Sequence, residues 1–248
     1  MSRRLVAALA CRINGSRLYG KPLQNLDVER GLTILDYQIA FLRSERVIED
    51  IVLGVAAGPA NEPFHALARR HGLRSISGDE TDVLMRLIQC GEAAGASDVL
   101  RITTESPFTY FDPLPEAWRR HVADENDVTA VTDVPDGAGF EILAMRALAE
   151  SHARGDRRHR SELCTLYIRE HLEQFRVDAL DVPPNVRRLD LRLTVDYPED
   201  LILCRRVYDR FKESAPRIPL RDIVEYLDAS PELNALVRPY ALGEKLYS

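Results

Sequence analysis

The chain has 248 residues, 45% of them apolar and 29% charged, enough for one large domain or two small ones around a full hydrophobic core. Its net charge of −6 excludes broad binding to nucleic acid or to an anionic membrane surface, because both need a basic face. Cys11, Cys90, Cys164 and Cys204 form no C-x-x-C, so reduced cytoplasmic thiols are expected rather than a disulfide framework or a zinc site.

The apolar run Leu5–Ala10, behind Arg3 and Arg4, is six residues long. That is short of the ~7–15 of a secretory signal core, so a buried strand is expected there. No other run approaches the ~18 apolar residues of a membrane span. Ile34, Leu35, Ile39, Phe41 and Leu42 suit one face of a helix, and Ile51–Ala56 reads as a second buried strand. A helix over Asn61–His71 is expected to turn Phe64, Leu67 and Ala68 inward, and a short strand follows near Arg74–Ser77. GDETDVLMRLIQCGEAAG predicts a helix with acidic residues in its first turn and Gly95 after its end. DVLRIT at 98–103 reads as a strand, Pro113–Asp124 as a helix and Asp127–Thr132 as extended.

The middle of the chain changes character. VPDGAG predicts a turn at 134–139, FEIL a short strand at 140–143, and Met145–Gly155 and Leu163–Phe175 two helices. In RRLDLRLTVD, Leu189, Leu191, Leu193 and Val195 alternate with polar residues, the pattern of a half-exposed strand. A helix is expected from Pro198 to about Ser214 and another near Leu220. Short apolar runs alternating with helical segments define an α/β class. The region of about 133–185 reads as an excursion inserted into one nucleotide-binding core, since no Gly-, Ser- or Pro-rich linker divides the chain.

Residues 15–22, GSRLYGKP, satisfy seven of the eight positions of the P-loop pattern G-x-x-x-x-G-K-[S/T]. Pro22 lacks the hydroxyl that would sit on Mg²⁺, and PLQNLD follows Lys21 where a Walker loop opens into a helix. The P-loop reading therefore fails. The chain also lacks a G-x-G-x-x-G after a strand, an H-E-x-x-H and a G-x-S-x-G.

In open α/β sheets, ligands gather beyond the carboxyl ends of strands. CRINGSRLYGKPL follows the first strand and carries Arg12, Arg17 and Lys21 on a loop with Gly15, Ser16 and Gly20. Glycines let backbone N–H groups approach a ligand, and three cations match the charge of a polyphosphate. Glu105 follows DVLRI, and Asp196 follows LRLTV. On neighbouring strands about 4.8 Å apart, the two carboxylates would share one Mg²⁺. Each also fits the plainer role of capping the next helix. The three loops taken together favour a site for a nucleoside triphosphate.

These same residues carry a family resemblance, in four blocks spread over roughly residues 5–205. CRINGSRLYGKPL resembles the R-x-x-S-x-R-L-P-G-K-x-L loop of the sugar-acid cytidylyltransferases. That family includes the synthetases of CMP-sialic acid and CMP-Kdo and, nearest in motif, the spore coat polysaccharide biosynthesis protein F group. GDETDVLMRL is similar to G-x-x-x-D-V-L-x-R, DVLRITTESPF to V-x-R-I-T-G-D-C-P, and RLTVDYPEDLIL to R-L-T-V-D-T-P-E-D-L. SELCTLYIRE is a weaker match to R-E-H-V-T-P-Y-I-R-E.

The resemblance implies a single Rossmann-like α/β domain with a mostly parallel sheet flanked by helices, and an inserted region that pairs subunits into a homodimer and shapes the acceptor pocket. It implies Mg²⁺-dependent transfer of CMP from CTP to a small acidic acceptor, a sugar acid of a surface glycan, with release of pyrophosphate. Neither nucleic acid nor membrane is an implied partner. Arg12, Arg17 and Lys21 take the place of the catalytic, phosphate-binding cations, with Gly15 and Ser16 in the same nucleotide loop. Gly78 and Asp82 fall near the nucleotide, and Glu105 and Asp196 fall on the metal. Four departures stand out: Glu105 replaces an Asp, Gly15 replaces a Ser, and Leu163 and Leu166 replace a His and a Pro.

Overall fold

The computed structural model describes residues 3–240. Its first strand, β1 (Leu5–Cys11), is apolar throughout and buried on both faces, as a central parallel strand must be. A short hairpin, β2 (Asn25–Asp27) and β3 (Leu32–Thr33), leads into α1 (Ile34–Ser44). Thr33 and Asp36 start that helix with a reciprocal capping box. Then follow β4 (Asp50–Ala56), α2 (Glu62–Arg70), β5 (Arg74–Gly78), α3 (Val83–Ala94) and β6 (Asp98–Arg101). Asp82 caps the start of α3, and Gly95 closes it in the left-handed conformation that favours glycine. The chain continues through α4 (Leu114–Ala123), β7 (Val128–Val131), β8 (Phe140–Ala144), α5 (Met145–Arg154), α6 (Leu166–Glu170) and β9 (Val177–Ala179). It ends in α7 (Pro198–Phe211), α8 (Leu220–Asp228) and α9 (Pro231–Val237).

Seven strands form one sheet in the order β5-β4-β1-β6-β8-β7-β9. The first four run parallel, β8 is antiparallel to both β6 and β7, and β9 is parallel to β7. The expected α/β class with a mostly parallel sheet flanked by helices is therefore what the chain adopts. Alternation along β1 divides the core in two. Leu5, Ala7 and Leu9 face a layer built by α1, α2, α4, α7 and α8, and Val6 and Ala8 face one built by α3, α5 and α6. The stretch 133–185 contributes β8 and β9 to the sheet.

Two expected elements come out differently. Leu189–Val195 forms no strand; its ladder contact is a single bridge between Asp136 and Arg192. Asp190 is exposed, but residues 191–195 are all buried, polar Arg192 and Thr194 included, so the alternation does not separate a buried face from an exposed one. Ion pairs around Arg192 are what let a charged residue sit where alternation called for solvent. The expected helix Leu163–Phe175 is α-helical only over Leu166–Glu170. His171 leaves helical geometry at φ −136 and ψ 43 and stacks its ring on Tyr167 at 4.2 Å, after which a 3-10 turn follows.

Candidate active site

The loop after β1 is folded back on itself. Gly20 N donates to Ile13 O at 2.8 Å, and Ile13 N donates to Asn61 Oδ1 at 2.7 Å. Gly20, at φ 58, turns the chain left-handed into a 3-10 turn over Lys21–Leu23, in which Pro22 is buried. Proline suits the opening of that turn, whose first N–H has no partner inside it. At Gly15 a Cβ would lie 2.3 Å from Leu18 O, so only glycine fits. The loop lines a cavity of about 330 Å³, reached by Arg12, Gly15, Ser16, Arg17 and Lys21.

Glu105 and Asp196 close the floor of this cavity. Glu105 lies on a loop four residues past β6, and a buried glutamine holds the loop in place. Gln38 Nε2 donates to Thr103 O at 2.8 Å and to Ser106 O at 2.7 Å. Thr104 Oγ1 donates to Ala10 O at 3.1 Å and so ties the loop to β1. The segment before α7 joins it directly, with Val195 N donating to Glu105 O at 3.1 Å. The two acids are thus brought together by a loop contact, while β6 pairs with β1 and β8.

Their electrostatics differ. Burial pushes the Glu105 carboxyl up, and the charge of Asp196 adds to this against the pull of Lys21. Burial would also push Asp196 up, but the hydrogen bond and charge of Lys21, together with Arg192 and Arg17, hold it below the ordinary carboxylate range. Lys21 Nζ donates to Asp196 Oδ1 at 2.6 Å, and Arg17 Nη2 lies 3.1 Å from the same oxygen. Arg17 also sits over the Tyr197 ring at 4.9 Å.

A second cavity of about 360 Å³ meets the first at Arg101, Thr103, Glu105 and Asp196. Asp136, Gly137, Glu141 and Leu163 help form its walls. Arg101 and Glu141 are ion-paired, and Thr165 Oγ1 donates to the other Glu141 oxygen at 3.1 Å. Glu162 lies at the mouth of the first cavity and accepts from Arg12 Nη2 at 2.9 Å.

Arg12, Gly15, Ser16, Arg17, Lys21, Glu105 and Asp196 are thereby gathered around one space. Gly78 and Asp82 do not join them. A Cβ on Gly78 would lie 2.6 Å from Arg86 Cγ, and the Asp82 carboxylate accepts from Met85 N and pairs with His152 Nε2, both at 2.8 Å. Those two positions shape α3 and its packing. The residues of that block that line the cavity are Val83, Arg86 and Leu87, and of these motif reading passed over the charged one, Arg86. Its buried guanidinium donates to Cys11 O at 3.0 Å and to Gly54 O at 2.8 Å, joining the ends of β1 and β4. Arg192, Tyr197, Arg101 and Asp136 were also passed over. Arg192 stands within the R-L-T-V-D block, so its place in the motif was the available signal.

Among the described residues no group of three or more His, Cys, Asp or Glu side chains is gathered to hold a metal. Glu105 and Asp196 offer a pair of hard oxygen donors. That fits Mg²⁺, which takes one or two carboxylates when substrate phosphates complete its shell. The side-chain hydrogen bond that Glu105 accepts from Thr104 Oγ1 is long, 3.4 Å, and a bound cation would offset the burial that raises its pKa.

Fold and site together place the chain in the nucleotidyltransferase fold class. It matches the spore coat polysaccharide biosynthesis protein SpsF of Bacillus subtilis at 27% identity over 228 residues, 90% of this chain and 94% of that protein. A solved cytidylyltransferase from Leptospira borgpetersenii superposes with a TM-score of 0.83 at 17% identity, covering 100% of both chains. CMP:2-keto-3-deoxy-manno-octonic acid synthetase complexed with CTP superposes at 0.63 with 12% identity, over 84% of this chain and 99% of that one. No family model matches the chain. The resemblance to the sugar-acid cytidylyltransferases thus extends from the motifs to nearly the whole length.

Proposed function

We propose that the protein transfers CMP from CTP to a small hydroxy acid, a sugar acid destined for a surface glycan, with release of pyrophosphate. The observation that carries this reading is the meeting of two cavities at Glu105 and Asp196: one lined by three cations on a glycine loop, the other by carboxylates and Arg101. The names of the SpsF relative and of the CTP-bound structural neighbour support the nucleotide and the glycan context.

In this reading Arg12, Arg17 and Lys21 bind the β- and γ-phosphates and neutralise the charge that builds as pyrophosphate leaves. Each is engaged by a carboxylate of the chain, Arg12 by Glu162 and the other two by Asp196, and a polyphosphate would replace those partners. Glu105 and Asp196 would hold Mg²⁺, which supplies countercharge to the α-phosphate and acidifies the acceptor hydroxyl. Acidification of the hydroxyl by the metal would make a dedicated general base unnecessary, and among the described residues no histidine lines either cavity. The second cavity orients the acceptor oxygen toward the α-phosphorus. The resemblance further supports a homodimer.

The test is pyrophosphate release with CTP and Mg²⁺ against nonulosonic acids, Kdo-type acids and small phosphonates, with Asp196→Ala as control. Turnover with one acid, abolished in the variant, supports the reading. No release with any acceptor, or an Asp196→Ala enzyme of wild-type rate, overturns it.

A further inference from the structure

We propose that Arg192 is a positioning residue, whose buried guanidinium fixes the orientation of Asp196 and ties it to Asp136 in the wall of the second cavity. This rests on the function proposed above and gives a role to a residue of the R-L-T-V-D block to which the motif comparison assigned none.

The Arg192 side chain is 4% exposed and surrounded by three aspartates. Its Nη2 donates to Asp196 Oδ2 at 2.7 Å, its Nε to Asp200 Oδ1 at 2.9 Å, and its Nη1 to Asp136 Oδ2. Asp200 is itself immobilised, because its Oδ2 accepts from Asp196 N and Tyr197 N, both at 2.8 Å, at the start of α7. The guanidinium is therefore anchored to a helix terminus on one side and holds Asp196 on the other.

The two oxygens of Asp196 have different partners. Oδ2 is held from behind by Arg192, whereas Oδ1 faces the cavity and takes Lys21 and Arg17. A polyphosphate draws Lys21 and Arg17 to itself, which frees Oδ1 while Arg192 keeps the carboxylate plane in place. A planar fork can serve three carboxylates at fixed angles, and an ammonium cannot. Partners that orient a ligating carboxylate are typically worth about 10–100-fold in metal affinity or activity.

The plainer account is that Arg192 only neutralises a buried acidic cluster and secures α7. That account predicts lost stability with unchanged kinetics. The two are separated by Arg192→Gln and Arg192→Lys in the full chain, checked for folding by thermal melting. Isothermal titration of CTP with and without Mg²⁺ is then compared with kcat and KM for pyrophosphate release.

Positioning predicts metal-free CTP affinity within roughly twofold of wild type. The gain in affinity given by Mg²⁺, and kcat, should each fall about 10–100-fold, with Arg192→Lys failing to rescue. Variants that melt lower but keep both the Mg²⁺ gain and kcat overturn the proposal, as does failure of both to fold. If the wild type releases no pyrophosphate, the functional reading fails, but the titration still decides the role of Arg192. Absence of any Mg²⁺ gain in the wild type overturns both.

Discussion

Lys21 Nζ donates to Asp196 Oδ1 at 2.6 Å, joining residues 175 positions apart in the lining of the first cavity. The ammonium that the proposed function offers to a phosphate is the same one that lowers the pKa of Asp196. In the proposed function, nucleotide arrival would exchange one anionic partner of Lys21 for another, coupling the two proposed roles of the site through a single side chain.

Lys21→Met removes both roles at once. The kcat/KM for CTP should fall by about 10²–10³, the usual cost of losing one fixed donor at developing charge. Folding should survive, because Arg17 and Arg192 still face Asp196. Steady-state pyrophosphate release and a thermal melt check the two halves. Wild-type turnover in the variant would remove Lys21 from the chemistry.

Gly15→Ala tests the loop rather than a charge. The added methyl would lie 2.3 Å from Leu18 O and 3.3 Å from Lys21 Cε, so the loop must move. A displacement of about 1 Å costs on the order of 10²-fold in rate. We expect that loss in kcat/KM with a nearly unchanged melting temperature, because the loop is largely exposed. An alanine variant of normal activity would show that the close approach at Gly15 is dispensable.

The parts of this molecule legible in its sequence are those whose signal is local. β1 shows as six apolar residues, α3 as a run between Asp82 and Gly95, and the cationic loop as CRINGSRLYGK. What escaped was set by contacts distant in sequence. Leu189–Val195 has the alternation of a strand, yet its polar Arg192 and Thr194 are buried, Arg192 among Asp136, Asp196 and Asp200. Charge pairing of that kind leaves no periodic trace. Glu105 and Asp196 were expected to meet through neighbouring strands and meet instead through a Val195–Glu105 backbone bond. Arg86 lay within a recognised block, but its reach across β1 and β4 follows from where α3 packs.

At the opposite end of β6 from the site, Asp98 provides a test of the fold alone. It is fully buried and accepts from Arg3 Nε at 2.8 Å and Ser97 Oγ at 2.6 Å, with His121 Nε2 at 3.0 Å. Burial would raise its carboxyl, but the bonds from His121, Arg3 and Ser97 outweigh this and lower it from 3.8 to about 2. A carboxyl depressed on folding adds stability that is fully present above its unfolded pKa and lost as pH falls through the folded one. The contribution is about 2 kcal/mol, present above pH 3.8 and lost on descending to about 2. Asp98→Asn should therefore be less stable than wild type at pH 7 by about that amount or more, since His121 and Arg3 also lose their charged partner. The gap should narrow as pH falls from about 4 to 2, because wild-type Asp98 then becomes neutral as well. Urea unfolding at a series of pH values measures it, and a gap independent of pH would show that the Asp98 charge is not what stabilises this end of the sheet. The folded fraction of Asp98→Asn should keep wild-type kcat, because none of these groups lines either cavity.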